Sequence, residues 1–371
     1  MKFNILKQDF IAPLQSVSRS VGVKATLPVL SNILISAEGK KLKISATNLE
    51  IGIIKQIPAE VLEAGEITIP SRTLIEIVQA LGDIKIEVES VGENLKITSG
   101  KFQATINGIN SSEFPVIPVD VGEEIELEKQ VLKSCSQILF AAAVDEGRPT
   151  LTGILTQATN QKLEFVATDG FRLAHRQIKL KANKKAFKSL IPRRTLEEVL
   201  RVVDEEGGEK VIISMPENQN QIVFKINQTV ISSRLIEGNF PSWEKIIPQS
   251  AKTRLITEKE IILQAVKLAS VFARGEGFVT LSLLASRSGS ESKLNILAEA
   301  KELGSQENEL EAQIEGEDLQ ISFNTKFLID ALSACPSSQL LMEFLEPLSP
   351  ALIKPMGVEG LQYVVMPVST S

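Results

Sequence analysis

Phe165-Val166-Ala167-Thr168-Asp169-Gly170-Phe171-Arg172-Leu173-Ala174 is the stretch that decides the fold of this chain. The run from Leu163 to Thr168 reads as a buried strand, and Asp-Gly ahead of a second apolar run reads as the shortest kind of hairpin turn. Asp-Gly hairpins are common. Two features set this one apart: a cation, Arg172, stands beside the turn, and the segment recurs. Leu42-Lys43-Ile44-Ser45-Ala46-Thr47-Asn48-Leu49-Glu50 carries the same strand, the same Ala-Thr pair and the same polar turn, and 121 positions separate Thr47 from Thr168. The chain is therefore read first as a repeat.

Helical periodicity extends the repeat. Phe10, Ile11, Leu14, Val17, Ser18 and Val21 mark one helix face. Shifted by 121 positions they become Val131, Leu132, Cys135, Ile138, Leu139 and Ala142. A further shift of 130 gives Ile261, Ile262, Ala265, Leu268, Ala269 and Phe272. Thr257-Glu258-Lys259-Glu260, ahead of the third copy, predicts a capping box. A second helix recurs in the same way: Leu74, Ile77, Val78 and Leu81, then Leu196, Val199, Leu200 and Val203, then Leu328, Ala331, Leu332 and Cys335. A short strand leads into each, through Ile67 to Pro70, Leu190 to Pro192 and Leu319 to Phe323.

Alternating segments fill the rest of each copy. Ile33 to Ala37, Lys41 to Ala46, Ile51 to Ile57, Ile84 to Glu89, Asn94 to Ser99 and Phe102 to Asn107 predict meander strands in the first, and Val211 to Met215, Gln221 to Ile226 and Thr229 to Arg234 in the second. Each copy is thus two helices packed on antiparallel sheet, an α+β layer. Pro-bearing connectors, Phe114-Pro115-Val116-Ile117-Pro118 and Ile247-Pro248-Gln249-Ser250, divide the chain into domains 1–119, 120–250 and 251–371. The acidic stretch from Glu299 to Glu317 has no clear period and predicts a mobile loop with an irregular strand.

In every copy a cation stands two positions before the first apolar residue of the second helix: Arg72, Arg194 and Lys326. That offset lies roughly opposite the apolar stripe and near the helix N-terminus, where phosphates bind. Arg193 and Lys24 add to the set, while Glu76, Glu197 and Glu198 on the same helices fit an ordinary solvated face. The net charge of −6 and pI near 5.3 argue against a conventional basic DNA binder. Bulk charge does not say where the charges sit.

Cys135 and Cys335 fall at repeat positions held elsewhere by Leu14, Ala265, Leu81 and Val203, so they read as small buried hydrophobes, with no disulfide framework or metal cluster. His175 trails the hairpin with no Ser or Cys motif around it. Asp9 interrupts any signal-peptide core, and the apolar run from Ile138 to Val144 is too short to span a bilayer. A cytoplasmic protein with no membrane contact, metal or cofactor is expected.

Several stretches together carry a family resemblance. Met1-Lys2-Phe3, Thr26-Leu27-Pro28-Val29-Leu30-Ser31-Asn32, Asp145-Glu146-Gly147-Arg148-Pro149-Thr150-Leu151-Thr152-Gly153, Ala167 to Ala174, Asn239-Phe240-Pro241 and Tyr363-Val364-Val365-Met366-Pro367 occur in the order found in bacterial sliding clamps. Over essentially its full length the chain resembles this family, the β subunit of DNA polymerase III. The resemblance implies a DNA clamp fold: a head-to-tail homodimer of three-domain protomers closing a six-domain ring around duplex DNA, with helices lining the hole. It implies a DNA polymerase processivity factor without catalysis of its own. With no P-loop in the chain, ring opening is left to a separate ATP-driven clamp loader.

The resemblance also implies a hydrophobic pocket between the second and third domains, taking short motifs from the DNA polymerase III α subunit, the loader and other clamp-binding proteins. Matched residue by residue, its deep part falls on Leu151, Thr168, Gly170, Phe171, Arg172, Leu173, Pro241, Ile246, Val364 and Met366. Asn324, Phe327, Pro350, Val365 and Pro367 match the adjoining groove. Apolar side chains would make the cavity while Arg172 and backbone groups orient the peptide. Lys245 stands where relatives often carry Arg, Phe327 where they often carry Tyr, and the tail Val368-Ser369-Thr370-Ser371 lacks a basic-apolar ending. Arg148 joins the DNA-facing cations, and Ile106, Val271 and Phe272 match the protomer interface. Two rival readings fit the same residues: a peptide-binding repeat scaffold that ignores DNA, and an enzyme built on Asp169, Arg172 and His175.

Overall fold

The computed structural model describes the chain apart from residues 23–26, 83–84, 120–121, 146, 160, 181–185, 216–219, 274–276, 287–291, 301–303 and 370–371. The hairpin forms between strands Lys162–Thr168 and Arg172–Lys179, but its loop is wider than the sequence suggests. Pairing ends at Thr168 with Leu173, which leaves four residues in the turn. The carboxylate of Asp169 explains the width: its Oδ1 accepts from the backbone N–H of Phe171 at 2.9 Å and of Arg172 at 3.0 Å, an alternative to two-residue closure. Thr168 Oγ1 donates to the Arg172 carbonyl and accepts from Gly170 N–H. The first copy repeats this bond for bond. Thr47 Oγ1 donates to the Ile51 carbonyl and accepts from Leu49 N–H, and Asn48 Oδ1 accepts from Glu50 and Ile51. Gly170 has φ of +93°, and Leu49 holds the same left-handed position at +75° at a steric cost of about 1 kcal/mol.

Four antiparallel sheets carry the described residues. A five-stranded sheet runs Glu60–Glu63, Lys2–Leu6, Lys85–Val91, Asn94–Ser99, Phe102–Asn107. An eight-stranded sheet runs Glu124–Glu128, Lys210–Ser214, Gln221–Ile226, Thr229–Arg234, Ile51–Pro58, Lys41–Thr47, Asn32–Glu38, Gly65–Pro70. The nine-stranded sheet runs Phe187–Pro192, Gly153–Ala158, Lys162–Thr168, Arg172–Lys179, Leu361–Val365, Ala351–Pro355, Gln339–Phe344, Thr253–Glu258, Gln313–Gly316. A four-stranded sheet runs Gly304–Glu311, Lys293–Ala300, Phe278–Leu284, Leu319–Asn324. Two of these sheets cross copy boundaries at matching places. Ile51 pairs with Ser233, and Arg172, 121 positions later, pairs with Val365.

Six α-helices accompany the sheets among the described residues: α1 (Lys7–Ser18), α2 (Ser71–Ala80), α3 (Lys129–Lys133), α4 (Arg193–Glu206), α5 (Lys259–Phe272) and α6 (Thr325–Ala334). α1 packs on α2 and on strands Lys41–Thr47 and Ile51–Pro58, burying Phe10, Leu14 and Val17. α5 packs on α6 and buries Ile262, Leu263, Ala265, Val266 and Ala269. Its buried face is rotated from the predicted one, because Ile261 and Leu268 point outward, at 43% and 53% exposure. No capping box forms at its start. Thr257 is buried within a strand that continues through Glu258 directly into the helix, and no side chain caps the helix there. The helix predicted over Val131 to Ala142 is broken into α3 and two short 3₁₀ turns, Ser134–Gln137 and Leu139–Ala141. Ser136 donates to the Lys133 carbonyl, a local bond that competes with helix continuation.

The described part of the acidic stretch is also more regular than predicted. Gly304–Glu311 pairs along its whole length with Lys293–Ala300, and its edge position buries neither face, so no period is visible in the sequence. The chain divides into two compact units, Met1–Leu132 with Arg194–Leu235, and Lys133–Arg193 with Ile236 onward. The second copy contributes to both units.

Candidate functional site

The second unit brings the hairpin, the tail strand and the start of α6 together. Arg172 lies at the end of the turn with its side chain only 7% exposed. Its Nε donates to Asp169 Oδ2 at 3.0 Å and its Nη1 to Asp330 Oδ2 at 2.5 Å. The guanidinium carbon sits 4.6 Å from the ring centre of Phe327 and 5.3 Å from that of Phe140, both within cation–π range. Phe171, 56% exposed, stacks on Phe327 with ring centres 5.9 Å apart and planes 20° apart. Arg172 thus spends its charge inside the protein, on two carboxylates and two rings.

The tail strand lies beside this group. Leu173 pairs with Val364, Arg172 with Val365, and Met366 N–H donates to the Phe171 carbonyl at 2.9 Å. Pro367 bridges to Phe323, and Val368 N–H donates to the Ser322 carbonyl. Asn324 caps α6, its Oδ1 accepting from Phe327 N–H at 3.2 Å, which fixes the helix start next to the hairpin. On the opposite face of the sheet from Arg172, Leu173 and Val364 join Leu155, Val166, Leu190, Trp243 and Leu352 in an apolar cluster, with Ile236, Phe240, Ile246 and Ile247 packed against it.

Of the predicted pocket residues, Phe171, Arg172, Asn324, Phe327 and Val365 lie on the α6 side, Leu173, Ile246 and Val364 belong to the apolar cluster on the other face, and Thr168, Gly170, Met366 and Pro367 join the turn and tail through hydrogen bonds and strand bridges. Leu151 is buried in the 3₁₀ turn Pro149–Thr152, Pro350 precedes Ala351, which pairs with Val365, and Pro241 and Lys245 are exposed on the connector. Sequence reasoning missed Asp330, Phe140 and Trp243. Asp330 is three residues after Phe327, on the same face of α6, and that spacing was its available signal. Trp243 is the sole tryptophan of the chain and sits in a Pro-bearing connector. Phe140 lies in the segment whose helix is broken.

The first junction holds a twin of this site, also within one unit. Arg234 N–H donates to the Glu50 carbonyl at 2.8 Å, as Met366 does to Phe171. Its apolar cluster joins Val29, Leu30 and Phe114 with Leu34, Ile109 and Ile117. The twin of Leu173 is Gly52, and Ile117 from the connector fills the space: a β-carbon on Gly52 would lie 2.8 Å from its Cγ2. Glu50, Ser232, Ser233 and Arg234 line the groove where the second junction has Phe171, Val364, Val365 and Met366.

Arg72, Arg194 and Lys326 are each the second residue of their helix, and all are exposed. Arg72 pairs with Glu76 at 2.7 Å, and Arg194 donates to the Arg19 carbonyl. Arg148 is exposed and donates to the Asp169 carbonyl, and Arg193 opens α4; Lys24 lies outside the described residues. Glu198 is buried rather than solvated and takes Arg19 at 2.6 Å and Arg201 at 2.9 Å. Ile106 is buried in its own edge strand, whereas Val271 is exposed and Phe272 half-buried at the end of α5.

Neither thiol is suited to nucleophilic work, since burial pushes Cys135 and Cys335 up to about 12. His175 does not join Asp169 and Arg172. An odd spacing of three along a strand turns it to the other face, where it lies 4.5 Å from Trp243 and 3.4 Å from Glu164. Among the described residues no helix is long and apolar enough to cross a membrane.

Known proteins match the chain throughout. Family models for the DNA polymerase III beta subunit match residues 1–118 (N-terminal domain), 126–242 (central domain) and 244–369 (C-terminal domain). The beta sliding clamp of Synechocystis sp. is 32% identical, with 99% of each chain covered, and that of Bacillus subtilis is 30% identical, with 100% of each covered. Among solved structures, the Bacillus subtilis DNA polymerase sliding clamp superposes with a TM-score of 0.93 at 30% identity, covering 100% of both chains. A Pseudomonas aeruginosa sliding clamp bound to griselimycin gives 0.92 at 26% identity, covering 100% of this chain and 99% of that one. By its three matched domains and its full-length relatives, the chain belongs to the DNA polymerase III beta subunit family, the beta sliding clamps.

Proposed function

We propose that two copies of this chain close head to tail into a ring around duplex DNA and act as the processivity factor of the replicative polymerase. The observation that carries the reading is the pairing of the Thr168–Leu173 hairpin with the Val364–Pro367 tail over one apolar cluster, with the start of α6 docked on the other face of the same strands. That assembly suits a short extended segment of a partner: aromatic and aliphatic side chains supply the surface, and a tail strand ending beside the hairpin supplies backbone groups. The α subunit of DNA polymerase III, the clamp loader and other clamp-binding proteins are its occupants. The protomer consists of domains 1–119, 120–250 and 251–371.

The protein performs no chemistry in this reading, and its grip on DNA is topological. Weak contacts from Arg72, Arg148, Arg193, Arg194, Lys326 and Lys24 to phosphates suit sliding, because strong ones would act as brakes. The edge strand Phe102–Asn107, with α5 residues Val271 and Phe272, forms the protomer interface. Ile106 supports that edge from within, since its side chain is already buried. The protein works in the cytoplasm, beside the replicating chromosome.

Retention on nicked circular DNA tests the reading. The chain is loaded with a bacterial clamp loader and ATP, and the circle is then linearised. Loss on linearisation is expected. Retention on linear ends would mean ordinary affinity binding and would overturn the ring.

A further inference from the structure

Among the described residues, Arg172 pairs with Asp169 in its own turn and with Asp330 of α6. The two carboxylates are not equivalent. Asp169 commits Oδ1 to the backbone of Phe171 and Arg172, so it shapes the loop and offers only Oδ2 to the guanidinium. Asp330 comes from a different element and ties the hairpin to α6. On that helix Phe327 stands one turn before it, so a single helix face presents a ring and a carboxylate to the same cation. Phe327 in turn carries Phe171, whose ring is more than half exposed.

We propose that Asp330 is a positioning residue of the peptide pocket: by holding Arg172 against α6 it sets Phe327 and Phe171 as one fixed aromatic wall. The proposal rests on the peptide-pocket reading above. A buried guanidinium must keep its counter-charges. Without Asp330, Arg172 keeps one carboxylate and gains freedom to turn toward solvent. Its contact with Phe327 then loosens, and the exposed Phe171 follows. A bound segment would have to order that wall itself, and the ordering cost appears as lost affinity. The wall is built for an apolar or aromatic side chain of the partner, since both carboxylates already occupy the cation.

The test uses the full chain and a fluorescein-labelled synthetic peptide carrying the clamp-binding motif of a DNA polymerase III α subunit. Asp330→Ala is expected to weaken peptide binding roughly tenfold, the loss of one charge-assisted hydrogen bond's worth of order. Asp330→Glu should recover part of it. Asp330→Ala and Phe327→Ala together should cost less than the sum of the two, because one residue acts through the other. Loading onto circular DNA should fall in step with peptide affinity, since the loader takes the same pocket, while circular dichroism at the assay temperature should match the parent chain; a role in folding alone would lower the folded fraction instead. If Asp330→Ala folds poorly, Asp330→Asn removes the charge at the same size and reads the same effect. Binding within twofold of the parent, tighter binding, or strict additivity with Phe327→Ala would overturn the proposal. Failure of the parent chain to bind the peptide would instead overturn the pocket reading beneath it.

Discussion

His175 shows how much a single residue's meaning depends on its neighbours. Its side chain is buried against Trp243, and Gln362 lies 3.1 Å from Nδ1. Burial holds it below its ordinary value of 6.5, with Glu164 pulling the other way. The folded chain therefore stays neutral where the unfolded chain takes up a proton. Below about pH 6.5 the unfolded state binds more protons, so stability is fully present above that pH and falls as pH drops toward the lower folded value. One group can contribute at most about 1.4 kcal/mol per pH unit. Urea midpoints should fall between pH 7.5 and pH 5.5, and His175→Gln should flatten the slope. An unchanged slope in that variant would assign the effect to other groups. Asp330, by contrast, could be read only from its three-residue spacing after Phe327, and its bond to Arg172 only once the hairpin was docked on α6.

At the scale of elements, the two junctions use one plan and differ in what fills it. Both loops carry the same Thr and Asx hydrogen bonds, and both are followed by a strand that pairs across the copy boundary. At the second junction Leu173 grows from the strand; at the first, Gly52 leaves room and Ile117 enters from the connector. Gly52→Ala should cost about 1–3 kcal/mol, since its β-carbon overlaps Ile117. Adding Ile117→Ala should make the pair less costly than the sum by at least about 0.5 kcal/mol. Denaturant titration of the four proteins measures the coupling, and additive costs would show that the contact is not felt. The connectors also differ in length. The first passes from Phe114 to Pro118 directly, while the second interposes a 3₁₀ turn, Glu244–Ile246, between Phe240 and Pro248.

At the scale of the whole molecule, the charge balance of −6 coexists with cations at the second position of α2, α4 and α6. Replacing Arg72, Arg194 and Lys326 together by Ala should weaken retention on DNA and make it less sensitive to salt, because each lost phosphate contact lowers the salt slope by about 0.9. Peptide affinity should be untouched, since none of the three lies among the pocket contacts described. Unchanged loading and salt dependence would show that these residues do not meet DNA. Some of their charge is already committed, Arg72 to Glu76 in particular, which limits the expected effect.

Much of the fold is legible in the sequence alone. Local patterns are written in adjacent residues, so the strands, the second helices, the burial of both cysteines and the threefold repeat followed from periodicity, and the family resemblance named most of the residues that converge on the hairpin. What the sequence could not decide was whatever depends on a partner far along the chain. Asp169 widened the turn because two backbone N–H groups were within reach, the second copy's first helix broke where local serine bonding competed with it, and two of the sheets joined copies to one another. The use of Arg172 was decided last and by tertiary structure alone. Its partner Asp330 lies 158 residues away, and only docking of α6 on the hairpin turned a cation expected to greet a peptide into the buried anchor of an aromatic wall.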